Sequence, residues 1–196
     1  MRIVAGRWRG RRIEAPAAAA TRPTADRVRQ ALFDMLAHAP WAGPWPPARV
    51  LDAFAGSGAL GLEALSRGAG EAIFFETDRA ARATLRANIA ALGASGQCSL
   101  FAADVTRPTP RAPPGGCDLL LLDPPYRQGL VERALASLEA GGWIGPGALI
   151  IAETAADEPP PVPPDRLLQQ RRHGAALLCA WRSSVPIGAG GRVVLS

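Results

Sequence analysis

A carboxylate, two prolines and an aromatic ring stand together at the end of an apolar run. Residues 119–122 are four leucines, and Asp123, Pro124, Pro125 and Tyr126 follow them directly. A carboxylate here can accept a hydrogen bond from the exocyclic amine of an aromatic base and favour its attack on an electrophilic methyl group. The prolines fix φ and leave carbonyls free, while a tyrosine ring offers a face for a stacked base. These four residues are the predicted catalytic set, with a proline-containing strand exit as the simpler alternative.

A glycine-rich turn supplies the second chemical feature. Gly56, Gly58 and Gly61 satisfy the pattern G-x-G-x-x-G between an expected strand and an expected helix. Glycines let the backbone approach a nucleotide closely, although a tight turn without a ligand has the same pattern. Both dinucleotide and S-adenosylmethionine enzymes use such loops. Asp52 favours the second class, because a carboxylate there can meet the ammonium group of a methionine moiety but would repel a pyrophosphate.

Two further acids end the next two expected strands. Glu76 lies 20 residues beyond Gly56, where an acid can accept hydrogen bonds from ribose hydroxyls. Asp104 could receive an adenine amino group. Both could instead be solvated strand ends or turn caps, as Asp78 is expected to be for the helix that follows. The predicted cofactor-binding set is Asp52, Phe54, Gly56, Ser57, Gly58, Glu76, Thr77 and Asp104.

The amino-terminal residues carry a dense group of arginines around a tryptophan. Arginines neutralise phosphates and tryptophan can stack on an unpaired base, which is typical of RNA recognition. Alternating residues around a glycine-rich centre predict a β-hairpin over residues 1–14, whereas a flexible basic tail is the alternative. The predicted RNA-binding set in this segment is Arg2, Arg7, Trp8, Arg9, Arg11 and Arg12.

Composition agrees with a folded protein that meets a polyanion. The chain has 196 residues, 48% of them hydrophobic, and a net charge of +5 in which all 22 basic residues are arginine. Its three cysteines and two histidines are scattered, so neither disulfides nor a metal site is expected. No signal peptide and no run long enough to span a membrane is recognisable, which predicts a cytoplasmic protein.

The element pattern positions these features at one edge of a sheet. A helix is expected to start near Thr24 with Thr24 as its cap, and from Arg49 onward short apolar strands alternate with helices. This pattern predicts an α/β fold with a mostly parallel sheet and helices on both faces, closed by an antiparallel hairpin turning at His173–Gly174. Ligands bind such sheets beyond the carboxyl ends of the strands. The predicted division is hairpin 1–14, domain 21–183 and a tail 184–196 without an assigned role.

Several segments together resemble one known family, the bacterial 16S ribosomal RNA (guanine(966)-N(2))-methyltransferases. The resemblance rests on "VLDAFAGSGALGLEALSRGA", "FFETD", "LLLDPPY", "RIVAGRWRGRRI" and "TRPTADRVRQALFDML". It implies a Rossmann-like class I methyltransferase domain with a seven-stranded sheet and an amino-terminal β-hairpin. It also implies S-adenosyl-L-methionine as cofactor and 16S rRNA as substrate, within an assembled or partly assembled 30S particle. The match over Arg22, Pro23 and Thr24 adds Thr24 to the predicted cofactor-binding residues and Arg22 to the predicted RNA-binding residues. A monomer is expected.

Three other functions stay open from the sequence. A DNA adenine-N6 methyltransferase also uses Asp-Pro-Pro-Tyr, but such enzymes usually need a separate sequence-reading segment, and no insertion here is long enough. A non-catalytic RNA-binding assembly factor could keep the fold and lose the activity, against which the intact glycines and Asp123 argue. A dehydrogenase is disfavoured by Asp52 and by the Asp-Pro-Pro-Tyr corner.

Overall fold

The computed structural model describes residues 1–15 and 23–185, with the backbone alone for residues 23–25. Within these residues four α-helices surround one sheet of seven strands. The helices are α1 Pro23–His38, α2 Ala59–Ser66, α3 Arg79–Leu92 and α4 Leu130–Ala140. The strands are β1 Arg49–Asp52, β2 Glu71–Phe75, β3 Cys98–Phe101, β4 Cys117–Leu122, β5 Ile144–Ala155, β6 Leu167–His173 and β7 Ala176–Arg182. None of the helices in this described part has the length and apolar character needed to cross a lipid bilayer.

The strand order is β3-β2-β1-β4-β5-β7-β6, and the first five of these strands are parallel. β7 runs antiparallel to both β5 and β6, so β6 points the same way as the parallel strands. The hairpin expected at His173–Gly174 is confirmed, with Gly174 in the left-handed region at φ +63°. The carboxyl ends of β1, β4, β5 and β6 therefore meet at one edge of the sheet.

The leucine run explains why both faces of the sheet are covered. Side chains alternate across a strand, so the odd- and even-numbered leucines of β4 face opposite layers. Leu119 and Leu121 pack with residues of α1, α2 and α3, such as Phe33. Leu120 and Leu122 pack on the other face with α4, where Leu138 is buried. The expected helices on both faces are confirmed.

The amino-terminal segment, residues 1–15, has the shape of a hairpin without two regular strands. Its arms are joined by a single antiparallel bridge between Arg2 and Arg12 and by backbone hydrogen bonds such as Ile3 N–H to the Arg11 carbonyl at 3.0 Å. Ile3 and Ile13 are buried in the core, and the backbone N–H of Val4 donates to Glu63 of α2 at 2.8 Å. The segment is therefore ordered and docked on the domain, and does not protrude from it.

Helix α1 begins at Pro23, two residues before the first helical position that a Thr24 cap predicts. Proline suits the first helical position, where its fixed φ matches the helix and its missing N–H has no intrahelical partner. Thr24 is therefore the second residue of the helix and not its N-cap, so the predicted capping role of Thr24 is wrong. The structure does not describe the Thr24 side chain, and its cofactor role stays a prediction. Arg22 and most of the tail, residues 186–196, lie outside the described residues.

Candidate active site

Two segments face one cavity of about 560 Å³: the acidic corner, residues 123–126, and the glycine turn, residues 55–58. Asp52 ends β1, and Asp123 follows the neighbouring parallel strand β4, so both carboxyl groups reach the same sheet edge. Gly56 and Tyr126 line the same cavity. A base stacked near Tyr126 and a cofactor against Gly56 would consequently share a single space.

The three glycines of the motif have different roles. A side chain on Gly56, at φ +53°, would meet no atom within 4 Å and would stand in the open cavity. A Cβ on Gly58 would instead collide with Leu85, and one on Gly61 with the ring of Phe74. Gly56 is thus the position that leaves room for a ligand, whereas Gly58 and Gly61 allow α2 to pack closely against β2 and α3.

Asp52 is buried beneath this turn. One of its carboxylate oxygens accepts the Gly61 backbone N–H at 3.0 Å, which holds the first turn of α2 in place. Burial raises the pKa of Asp52 to about 7, and the nearby carboxylates of Asp123 and Glu76 act in the same direction. A cationic group entering the cavity would reverse this effect, because it stabilises the ionised carboxylate.

Glu76 ties the glycine turn to the second strand. Its carboxylate accepts the backbone N–H groups of Gly56 and Asp78, each at 2.7 Å. It also lines an adjoining cavity of about 320 Å³ together with Thr77 and Asp104, and Phe54 borders both cavities. The two spaces can accommodate the two halves of an elongated nucleoside ligand.

Asp104 and Asp78 each accept hydrogen bonds from residues that follow them closely in the chain, Asp104 in a turn and Asp78 at the start of α3. Asp104 accepts the backbone N–H of Thr106 at 2.9 Å and its hydroxyl at 2.7 Å, and these bonds lower the pKa of the Asp104 carboxyl. Asp78 accepts the Ala81 N–H at 2.7 Å and caps α3, as expected. The capping role of Asp104 leaves its position at the cavity wall intact, so a second role toward adenine stays a prediction.

The acidic corner contacts strand β5 through Glu153, which accepts a hydrogen bond from Tyr126. Asp123 is exposed toward the cavity but has protein on its other sides, and this desolvation, with the charge of Glu153, raises the pKa of Asp123 to about 7. The Tyr126 hydroxyl donates a hydrogen bond to Glu153, and burial and this bond raise the tyrosine pKa. Pro124 is buried behind the corner, while Pro125 lines the adjoining cavity.

Glu153 is the residue in the site that no motif predicts. It follows Ala152, which pairs with Leu122, so the register of β5 against β4 sets Glu153 beside Asp123. The sequence carries one usable indication, because "GALIIAE" ends in an acid as the strands of Asp52, Glu76 and Asp123 do. The sequence alone does not give the strand order, so it does not predict that Glu153 faces the same cavity as Asp123. Met1, Arg29 and His173 also line the cavity.

The predicted RNA-binding residues are mostly engaged within the protein. Arg2 donates to the Gly10 carbonyl at 2.9 Å, Arg7 to Gln97 and Arg11 to the Ala91 carbonyl. The Arg7 guanidinium lies 4.0 Å from the ring centre of Trp8, which is half-buried. A base could stack on that ring face only if Arg7 moved. Arg9 and Arg12 are exposed and have no side-chain hydrogen bond or ion pair to the described residues.

The amino-acid sequence of this chain matches a known protein family and several named relatives. The family model described as conserved hypothetical protein 95 matches residues 1–182. Ribosomal RNA small subunit methyltransferase D of Escherichia coli K12 is 40% identical over 158 residues, covering 80% of this chain and 76% of that protein. The protein of the same name from Haemophilus influenzae is 37% identical over 166 residues, covering 81% and 80%.

A solved structure supports the same conclusion at the level of fold. The Escherichia coli protein yhhF, provisionally described as a methyltransferase, superposes with a TM-score of 0.75 at 34% identity, covering 93% of this chain and 97% of that one. The sheet order and the helices on both faces are those of a Rossmann-like methyltransferase. This chain therefore belongs to the conserved hypothetical protein 95 family, and it has that fold.

Proposed function

We propose that this protein transfers a methyl group from S-adenosyl-L-methionine to the exocyclic N2 of a guanine in 16S rRNA, leaving S-adenosyl-L-homocysteine. The observation that carries the proposal is the single cavity that Gly56 and Asp123 share. Two relatives above 35% identity are named as methyltransferases of small-subunit ribosomal RNA, which supports the class of substrate. Resemblance to the guanine-N2 family supports the choice of atom.

The residues around the two cavities fit the cofactor. The space in front of Gly56 would be filled by any Cβ, and the acids at its sides match the cationic and hydroxyl groups of the molecule. Asp52 would face the ammonium group, Glu76 and Thr77 the ribose, and Asp104 the adenine amino group, with Phe54 between the cavities. The cofactor supplies an electrophilic methyl group on a sulfonium centre.

The acidic corner would prepare the guanine amine for this methyl group. An aromatic amine is a weak nucleophile because its lone pair is delocalised into the ring. When Asp123 accepts an N–H hydrogen bond, the nitrogen can become pyramidal and direct its lone pair outward. Carbonyl groups of the rigid proline corner can accept the second N–H, and Tyr126 can stack on the base.

The surroundings of Asp123 also bear on the fate of the amine proton. An aspartate at its ordinary pKa of about 4 is a weak proton acceptor. With a pKa of about 7, the carboxyl is better matched to general-base work near neutral pH. We therefore assign Asp123 both roles, hydrogen-bond acceptor before methyl transfer and proton acceptor during it.

The remaining parts of the proposal concern partner and location. A small enzyme without an added reading segment can recognise folded RNA or a ribonucleoprotein by shape. We accordingly propose a 30S particle, assembled or partly assembled, as the working substrate, a monomeric enzyme and a cytoplasmic location.

The test is methyl transfer with a labelled methyl donor. Unmodified small-subunit particles, naked 16S rRNA and DNA are each incubated with the protein and tritiated S-adenosylmethionine, and the products are digested to nucleosides. We expect N2-methylguanosine from particles or rRNA. Methylated adenine in DNA would replace the proposal with an adenine-N6 activity. If none of the three accepts label, the non-catalytic assembly factor becomes the better account.

A further inference from the structure

The edge strand β6 carries a basic surface that no RNA-binding motif predicts. Arg166, just before β6, and Arg171 and Arg172 within it are exposed, and no acidic residue occurs between residues 166 and 182. β6 is the last strand of the sheet. Charged side chains on such an edge also discourage pairing with another chain, so exposure alone does not show a binding role.

Position distinguishes Arg171 from the other two arginines. His173, at the carboxyl end of β6, lines the cavity that Gly56 and Asp123 share. Residues two apart on a strand lie on the same face, about 7 Å apart. Arg171 thus stands on the cavity face beside its rim. Its partner across the hairpin is Leu178, which lines the cavity too.

The three arginines also differ in their side-chain contacts with the described residues. Arg171 forms no side-chain hydrogen bond or ion pair with the residues that the structure describes. Arg172 faces the other side of the strand and its Nε–H donates to the Gly174 carbonyl at 3.3 Å. Arg166 lies at the other end of β6 and donates to the Arg182 carbonyl at 3.4 Å.

The cavity lies between this arginine and the amino-terminal segment. Met1 borders the cavity near Ser57, its sulfur 3.6 Å from the serine hydroxyl, on the side of β1. Three strands separate β1 from β6, which at the usual spacing places them about 19 Å apart. A polynucleotide whose base enters the cavity continues on both sides of that base, and arginines are available on the β6 side and in the amino-terminal segment.

We propose that Arg171 binds a backbone phosphate of the RNA on the β6 side of the cavity, so that the chain is held on both sides of the target base. The proposal rests on the proposed function for its substrate class. It adds a phosphate-binding position outside the amino-terminal arginines. An arginine fork donates paired hydrogen bonds to phosphate oxygens, which suits such a clamp.

The experiment compares charge removal at the two ends of β6. The full-length protein and its variants R171Q and R166Q are titrated with in vitro transcribed, unmodified 16S rRNA at several salt concentrations. Each phosphate that a protein neutralises adds about 0.7–0.9 to the steepness of log affinity against log salt. We expect the slope of R171Q to be shallower by about this amount, with several-fold weaker binding at low salt, and R166Q to behave as wild type. R171K, which keeps the charge, should restore most of the slope.

Folding and cofactor binding are followed separately. Thermal unfolding and calorimetry with S-adenosylmethionine should be unchanged in R171Q, because the residue lies outside the proposed cofactor site. Equal slopes for R171Q and wild type, or equally reduced slopes in R171Q and R166Q, would overturn the proposal. A shallower slope with DNA but not with rRNA would overturn the choice of RNA. If the wild type methylates a different atom and R171Q still has the shallower slope on rRNA, the proposed function fails and the phosphate-binding role of Arg171 stands.

Discussion

At the residue scale, the proposed chemistry depends on how Asp123 is surrounded. Its carboxyl group is confined by protein on most sides and stands near Glu153, so its pKa rises to about 7. Neither effect is visible in "DPPY", since the motif gives the residue type and the strand order gives the neighbours. The corner is therefore a carboxyl group that changes charge within the physiological range.

A substitution that removes the charge of Asp123 but keeps the size of its side chain tests the proposed catalytic role of this residue. Asp123→Asn keeps the size of the side chain but removes the anionic acceptor, so we expect methyl transfer to fall by about 100-fold or more. Cofactor affinity, measured by calorimetry, should change little. Asp118→Asn, near the other end of β4, is the matched control and should keep full turnover. Normal turnover in the Asp123 variant would remove Asp123 from the mechanism.

Glu153 offers a second test, read from a pH profile. If ionised Asp123 is the acceptor, kcat/KM rises with pH through about 7, the pKa that burial and Glu153 together produce. Glu153→Gln removes a negative charge but keeps an acceptor for Tyr126, so the rise should move to lower pH. Glu153→Ala also frees Tyr126 and should lower the plateau. The other ionisable side chains that line this cavity are Asp52, Tyr126, Arg29 and His173, and Met1 lines it with its amino terminus nearby.

If the pH dependence of kcat/KM is unchanged in Glu153→Gln, the charge of Glu153 does not influence the reaction, and its role is limited to the hydrogen bond with Tyr126. Asp52 could produce a similar rise, because its pKa is also raised to about 7. Asp52 lies beneath the glycine turn, whereas Glu153 lies beside Asp123 on the neighbouring strand. A shift caused by Glu153→Gln therefore points to Asp123.

At the scale of elements, Glu63 of α2 joins the amino-terminal segment to the domain. Its fully buried carboxylate accepts the backbone N–H groups of Val4 at 2.8 Å and Ala5 at 3.0 Å, and pairs with Arg67 at 2.8 Å. A buried charge in this setting is stable only while all its partners are present. Deleting residues 1–14 to test RNA binding would consequently disturb folding as well.

Removing the Glu63 carboxylate should lower the free energy of unfolding substantially. Glu63→Ala leaves Arg67 without its buried partner and two backbone N–H groups without their acceptor, so we expect about 3–5 kcal/mol of destabilisation in urea unfolding. Glu71→Ala breaks the more exposed pair with Arg49 and should cost at most about 1 kcal/mol. Similar losses in both variants would mean that burial does not set the strength of these pairs.

The elements also show what the sequence could and could not predict. Strands, helices and the hairpin at Gly174 followed from apolar periodicity and turn residues, because those patterns are local. The facing of Glu153 and Asp123, and the attachment of residues 1–15 to α2, depend on interactions between distant segments. The motif glycines are a further example. The sequence shows that Gly56 and Gly61 belong to one motif, but only the packed structure shows that Gly56 borders the cavity and Gly61 packs against Phe74.

At the scale of the whole molecule, two raised carboxyl pKa values make stability depend on pH. An unfolded aspartate loses its proton near pH 4, whereas Asp52 and Asp123 in the fold keep theirs to about pH 7. Between these values the folded state binds more protons than the unfolded state. The contribution of these two groups to the free energy of unfolding therefore decreases as pH rises from about 4 to about 7.

We expect the cofactor-free protein to show this decrease in urea unfolding at pH 5 and pH 8. Asp123→Asn should make the difference smaller, because an amide cannot ionise. Saturating S-adenosylmethionine should also reduce it, since a cation near Asp52 stabilises the ionised form. A pH difference that is the same in wild type and in the variant would contradict the raised pKa of Asp123.

One side chain, Asn88 of α3, reaches two places at once. Its amide accepts the Glu14 backbone N–H at 2.8 Å and donates to the Ser57 carbonyl in the glycine turn at 2.9 Å. If RNA binds residues 1–15 and S-adenosylmethionine binds beside Gly56, as we propose, Asn88 links the two sites directly. The two affinities are then coupled reciprocally, so any factor by which the cofactor raises RNA affinity equals the factor by which RNA raises cofactor affinity.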